Sequence, residues 1–282
     1  MIKALETNEG TLVIPPGLEQ IPESACTGRE DIRRIVLPDS VYSIGPEAFA
    51  ECTALEEVVL PPSFLHISAA AFLNCSALRR VVLSRDLQSI NEGAFLGCTA
   101  LKAIALPDTL EFIGEMAFWG SGLEEITLPE RVGSIGENAF WDCPALRRAD
   151  VLGVDTHIGK NAFGNCPLLT EGYMAPGYPD DDSPPALLLY TLLWCSCPQR
   201  HTPETARRAS GFIRQQEGLV MERILKSRNA AALNGIVSQG LLEPSHVDGY
   251  LQDWAGQGAP ELAALLLQAK HRTCGPEEEF DL

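Results

Sequence analysis

The sequence predicts an α/β repeat solenoid of short strands followed by a small all-α domain. Three observations lead there. Phe49, Phe72, Phe95, Phe118, Phe140 and Phe163 recur at intervals of 23, 23, 23, 22 and 23 residues, each preceded by alanine. Ile21, Ile44, Ile67, Ile90, Ile113, Ile135 and Ile158 keep the same phase five residues earlier, and Cys26 takes the phenylalanine position of the first unit, as in an atypical terminal repeat. Beyond Leu169 this periodicity stops and helix-start signals take over.

Within each unit the order of elements can be read off. After the phenylalanine comes a leucine column, Leu55, Leu78, Leu101, Leu123, Leu146 and Leu169, and then a strand-like run such as LEEVVLP, residues 55 to 61, ended by proline. Leu55, Val58 and Leu60 are expected to point inward, with the pleat irregular near Glu56 and Glu57. Cys52, Cys75, Cys98, Cys143 and Cys166 stand three residues after a phenylalanine. Stacked coils would put them on rungs ~5 Å apart. Such a row offers no four-ligand convergence for zinc, and disulfides along it would compete, so the thiols read as buried spine. Reduced cysteines also suit a reducing compartment.

The unit SVYSIGPEAFAECTALEEVVLP resembles that of the BspA-like leucine-rich repeats, with their pattern IxxxAFxxCxxLxxVxLP, over roughly residues 12 to 170. The resemblance implies a leucine-rich-repeat right-handed coil and a role in adhesion or protein recognition, often on bacterial or protozoan surfaces, with no catalytic residues in the motif. The chain departs from the pattern at SGL (121 to 123), which lacks the cysteine and one residue, and at ADVLGVDTHIG (149 to 159), where the strand loses its proline.

Composition bounds the function. The chain has 282 residues, 45% hydrophobic, and a formal net charge of −17, which repels phosphate backbones and anionic lipids. No nucleic acid partner and no membrane insertion are expected. The N-terminal TLVI run is too short for a signal-peptide core or a span. The chain as given reads as cytoplasmic, or as secreted or cell-surface if an export signal lies upstream.

With the spine assigned to structure, function falls on the outward columns. Arg33-Arg34, Glu56-Glu57, Arg79-Arg80, Lys102-Ala103, Glu124-Glu125 and Arg147-Arg148 alternate in sign, as a register-fixing ladder would. Val36, Val59, Val82 and Ala105 form a smooth outward column that strand propensity alone would explain. Beside the isoleucines stand Tyr42, Leu65, His66, Phe112 and His157, candidate contacts for an unidentified protein. Trp119 and Trp141 follow Leu73 and Leu96 in the column after the phenylalanine. These four either form an exposed apolar patch, covered by a partner, in a homo-oligomer or by the C-terminal domain, or fold inward against the turn.

The proposed domains are 1–178, a solenoid of about seven rungs, and 183–282, an α-helical domain, separated by the Pro- and Asp-rich YMAPGYPDDDSPPA. Thr202 and Pro203 read as N-cap and first helical residue. The run from Gln239 to Gln268 resembles an ankyrin-like helix pair without its TPLHxA signature. Cys195, Cys197, His201, His271 and Cys274 are candidate zinc ligands, but their CxC and HxxC spacings do not suit a structural site. Asp180 to Asp182 lack the glycine and distal glutamate of a calcium loop. No GxSxG, HExxH or phosphate loop occurs. The expectation is a non-catalytic protein-recognition module without cofactor or metal; the alternatives are a surface adhesion or structural protein, and an enzyme with its site in residues 183–282.

Overall fold

The computed structural model describes residues 7–153, 156–169, 171–174, 191, 195, 203–255 and 259–273. The chain divides into two compact units, Met1–Leu169 with Met174–Ala186, and Thr170–Tyr173 with Leu187–Leu282.

In the first unit, the repeat sequence produces one strand at the isoleucine and a second after the leucine. The isoleucines close β2 (Gln20–Ile21), β4 (Ser43–Ile44), β6 (His66–Ile67), β8 (Ser89–Ile90), β9 (Phe112–Ile113), β11 (Ser134–Ile135) and β13 (His157–Ile158), which lie in one sheet in the order β13-β11-β9-β8-β6-β4-β2. Pairing is parallel and joins equivalent positions, as in Ile67 with Ile90. A four-stranded parallel sheet holds β1 (Thr11–Val13), β3 (Arg34–Val36), β5 (Glu57–Val59) and β7 (Arg80–Val82), and β10 (Glu125–Leu128) pairs in parallel with β12 (Arg148–Val151). A last strand, β14, spans Glu171–Met174.

The expected strand is missing in one unit, over residues 102–106. The reason lies in the next unit, which is one residue short. Its return segment runs so close that a methyl on Gly122 would overlap the Thr99 carbonyl. Glu124 N reaches Lys102 O at 2.9 Å, but the shortened rung does not complete a ladder there.

Each coil closes through two residues with left-handed backbone. The first lies three residues after the isoleucine: Ser24, Glu47, Ala70, Gly93, Met116, Asn138 and Asn161. The second lies two after the phenylalanine position: Gly28, Glu51, Asn74, Gly97, Gly120, Asp142 and Asn165. Glycine, asparagine and aspartate dominate the second series because they tolerate this conformation. Between these bends the backbone pairs with the next rung, Phe72 N donating to Ala94 O at 2.9 Å and Phe95 N to Ala117 O at 2.8 Å. This third ladder satisfies amide groups that a buried turn would otherwise orphan.

The interior is a set of stacked columns. The six phenylalanine rings form a continuous stack, with successive centroids 5.8, 5.5, 5.3, 5.1 and 5.0 Å apart and interplanar angles of 15° or less. Leu55, Val58 and Leu60 are buried as expected, and Val41, Phe64, Leu87, Leu110 and Val132 form a further buried column three residues before the isoleucines. Full burial of each such side chain contributes roughly 1.5–3 kcal/mol.

The cysteine column has a specific task. Cys75 Sγ donates to Phe49 O at 3.1 Å, Cys98 Sγ to Phe72 O at 3.3 Å, Cys143 Sγ to Phe118 O at 3.2 Å and Cys166 Sγ to Phe140 O at 3.1 Å. Cys52 does the same toward Cys26 O at 3.1 Å, where Cys26 holds the phenylalanine position. A small buried thiol therefore ties each turn to the carbonyl of the rung before it. Ser121 fills the slot in the shortened unit, with its Oγ 3.3 Å from Cys143 Sγ.

The second unit is helical: α1 (Pro203–Ser227), α2 (Ala230–Ser238), a 3-10 turn (Pro244–His246), α3 (Val247–Ala255) and α4 (Pro260–Thr273). Pro203 opens α1 as expected, while Thr202 lies outside the described residues. Helix α1 is kinked at Gln216, whose φ of −130° leaves the helical region. Asn229 caps α2, its side chain accepting from Ala232 N at 2.9 Å. Ile213, Met221, Ile224, Leu233, Ile236 and Leu266 are fully buried in the core of this unit.

Candidate functional site

The outward residues of the seven-stranded sheet form two adjoining rows. Register places His66 beside Ser89, Ser89 beside Phe112, Phe112 beside Ser134, and Ser134 beside His157. His66 Nδ1 lies 2.9 Å from Ser89 Oγ, which orients that imidazole along the row. One residue earlier on each rung is a second row holding Tyr42 and Leu65. Its rungs are joined by Tyr42 N to Glu19 O at 3.0 Å and Gln88 N to Leu65 O at 2.8 Å. The Tyr42 hydroxyl accepts from Gln20 Nε2 at 2.7 Å. Tyr42, Phe112 and Leu65 are 47%, 40% and 39% exposed, and both histidines are exposed. His66, Phe112 and His157 thus stand in one register row of the sheet, and Tyr42 and Leu65 are exposed directly before two of its strands.

The other sheet shows a valine row that sequence reasoning began one rung too late. Val13 pairs with Val36 and Val59 with Val82, and these four valines are between 37% and 55% exposed. The signal for Val13 was its place in TLVIPP, where the first unit lacks the phenylalanine that set the phase. Two and three positions back in the same units run the charges. Arg34 pairs with Glu57 at 2.6 Å, Arg80 with Glu57, Arg79 with Glu56, and Lys102 with Glu124 at 3.2 Å. This is the expected cross-rung ladder, and exposed pairs of this kind contribute ~0.2–1 kcal/mol each. Arg148 bonds Asp150 on its own strand at 2.8 Å.

Trp119 and Trp141 are side by side, ring centroids 6.3 Å apart and tilted by 57°. The column they belong to is not fully exposed: Ala50 is buried, and Leu73, Leu96, Trp119 and Trp141 are each half-buried. Gly164 makes this fit, since a methyl there would overlap the six-membered ring of Trp141. The fully exposed patch weighed from sequence is reduced to a stripe of ring and side-chain edges.

The cysteines of the spine are free thiols, and burial pushes Cys52 and Cys98 up to about 12. Among the described residues no group of three or more His, Cys, Asp or Glu side chains could hold a metal. Cys195 is a buried free thiol. Cys197, His201 and Cys274, as well as Asp180 to Asp182, lie outside the described residues, and His271 is placed only as a residue of α4. Among the described residues no helix is long and apolar enough to cross a membrane.

One cluster escaped sequence reasoning. Glu217, just after the α1 kink, accepts from Glu243 N at 3.1 Å, from the Tyr250 hydroxyl at 3.0 Å, and faces His246 Nδ1 at 3.0 Å. Nothing in the spacing of residues 217, 246 and 250 announces this, because the contact depends on how α1 meets the 3-10 turn and α3.

Comparison with known proteins gives a consistent picture. The model of the BspA type leucine rich repeat region matches six copies over residues 19–147 and 65–175, more than half of the chain. A search of curated proteins finds no match. Among solved structures, a leucine-rich repeat protein from Bacteroides ovatus is 26% identical, with 57% of this chain and 48% of that chain covered and a TM-score of 0.46. The T. pallidum leucine rich repeat protein is 29% identical, covering 58% and 69% with a TM-score of 0.43. A leucine rich cell surface protein from Faecalibacterium prausnitzii is 22% identical, covering 60% and 70% with a TM-score of 0.40. The chain spans about half the length of the B. ovatus protein. With its columns, turns and thiol ladder matching the repeat unit, this chain belongs to the BspA-type leucine-rich repeat family.

Proposed function

We propose that the chain is a non-catalytic protein-recognition module whose partner docks on the outward rows of the seven-stranded sheet. The observation that supports this is the exposure of His66, Phe112 and His157 along one parallel sheet, with the exposed Tyr42 and Leu65 directly before two of its strands. Backbone ladder bonds tie each of these segments to at least one neighbouring rung, so little backbone freedom is left to lose on binding. Aromatic and aliphatic anchors flanked by histidine and serine give the mixed character of an interface centre. The charge ladder of the other sheet cancels its own field and offers no comparable anchor.

The test is capture of partners from an extract of the source organism by the full chain, compared with a Tyr42→Ser, Leu65→Ser, Phe112→Ser variant. These side chains lie outside the core, so melting should be unchanged while a specific protein is lost from the eluate. Equal capture by both forms would contradict docking on these rows.

A further inference from the structure

We infer that the helical unit carries a second binding site, one for an organic cation, in a shallow surface groove of about 460 Å³ beside Glu217. The walls include Glu217, His246, Tyr250 and Asp253, with Gly218 of α1 and Gly249 of α3 beside them. Glu217 and Asp253 line the space, Asp253 exposed and Glu217 held by its own hydrogen bonds, and the lining contains no lysine or arginine. The aromatic side is built: the rings of His246 and Tyr250 meet edge to face at 86°, centroids 6.5 Å apart, and Tyr250 leans on Trp254 at 6.0 Å. Glu217 fixes both polar tips, bonding the Tyr250 hydroxyl and His246 Nδ1 at 3.0 Å each, and its own side chain is only 11% exposed.

The glycines supply an independent argument. Glycine inside a helix is destabilising relative to alanine. Gly218 and Gly249 both stand within helices, yet a methyl on either would meet nothing within 4 Å. Both line the groove, so a side chain at either would project into its space. A cation entering over this floor meets an aromatic ring and two carboxylates, the combination that retains ammonium and guanidinium groups. A guanidinium is the best match, because its plane stacks on a ring while its edge bonds a carboxylate. It would come either from an arginine side chain of a peptide or from a free small cation.

The experiment uses the full chain, titrated by NMR with methylguanidinium and, as a neutral isostere, methylurea. Saturable shifts with methylguanidinium alone are expected. Asp253→Asn should weaken binding about tenfold by removing one of the two charged partners. Gly249→Ala should weaken it while melting stays the same or rises, a combination that a purely structural groove does not produce. An acetylated Gly-Arg-Gly amide that binds at least as tightly assigns the site to an arginine side chain, whereas binding of the free cation only assigns it to a small molecule. Shifts that do not saturate, equal response to methylurea, or intact binding in Gly249→Ala would overturn the inference.

Discussion

Shortening one phenylalanine of the stack should cost more in its middle than at its end. Phe95 lies between Phe72 at 5.5 Å and Phe118 at 5.3 Å, whereas among the described residues Phe163 has one stacking neighbour, Phe140 at 5.0 Å. Replacing either by leucine changes shape at similar volume, which costs up to ~1.5 kcal/mol. Each lost aromatic pair adds ~0.5–1.5 kcal/mol. Phe95→Leu should therefore destabilise by about 3 kcal/mol and Phe163→Leu by about 2 kcal/mol, a gap of one ring pair. Repeats contact only their neighbours, so the damage should also be local. Urea unfolding followed by circular dichroism measures the difference, and hydrogen exchange by rung locates it, with faster exchange near Ala94 and Ala117 in Phe95→Leu. Equal losses at the two positions, or exchange raised uniformly along the coil, would refute the pairwise stack.

Other outcomes follow from the same structure. The thiols of Cys52 and Cys98, raised from about 9 to about 12 by burial, should resist alkylation in the native state at neutral pH and react once the chain unfolds, as mass spectrometry would show. Their folded values lie above the unfolded ones, so this contribution to stability is complete below about pH 9 and lost as pH rises toward about 12; melting temperature across that window checks it. Gly122→Ala should cost about 2 kcal/mol or more, because the methyl meets backbone that cannot swing aside, and thermal unfolding would show it. Met116→Gly should instead stabilise by about 1 kcal/mol by relieving a left-handed residue with a side chain, read as a rise in urea midpoint.

The inward columns were legible because a solenoid repeats one environment many times. Phe, Ile, Leu and Cys each recur at one phase, and a position that faces the core on one rung faces it on all. The bends were half legible. Their second left-handed position carries Gly28, Gly97, Gly120, Asn74, Asp142 and Asn165, a visible bias, but the first admits Glu47, Ala70 and Met116. There the backbone ladders to adjacent rungs impose the conformation against local preference. The missing strand at residues 102–106 was not visible in its own text, since its cause is the shortened unit that follows. Exposure of Trp119 and Trp141 could not be read because Gly164, one rung on, decides how far Trp141 sinks. The Glu217 cluster was hidden for a different reason: the helical unit has no repeat to announce which faces meet.

The most direct test of the recognition surface is hydrogen exchange of the full chain with and without a captured protein partner. The account predicts slowed exchange in the segments bearing Tyr42, Leu65, His66, Phe112 and His157, with little change around Val36, Val59 and Val82. Protection confined to the valine sheet, or to residues 203–273, would contradict it.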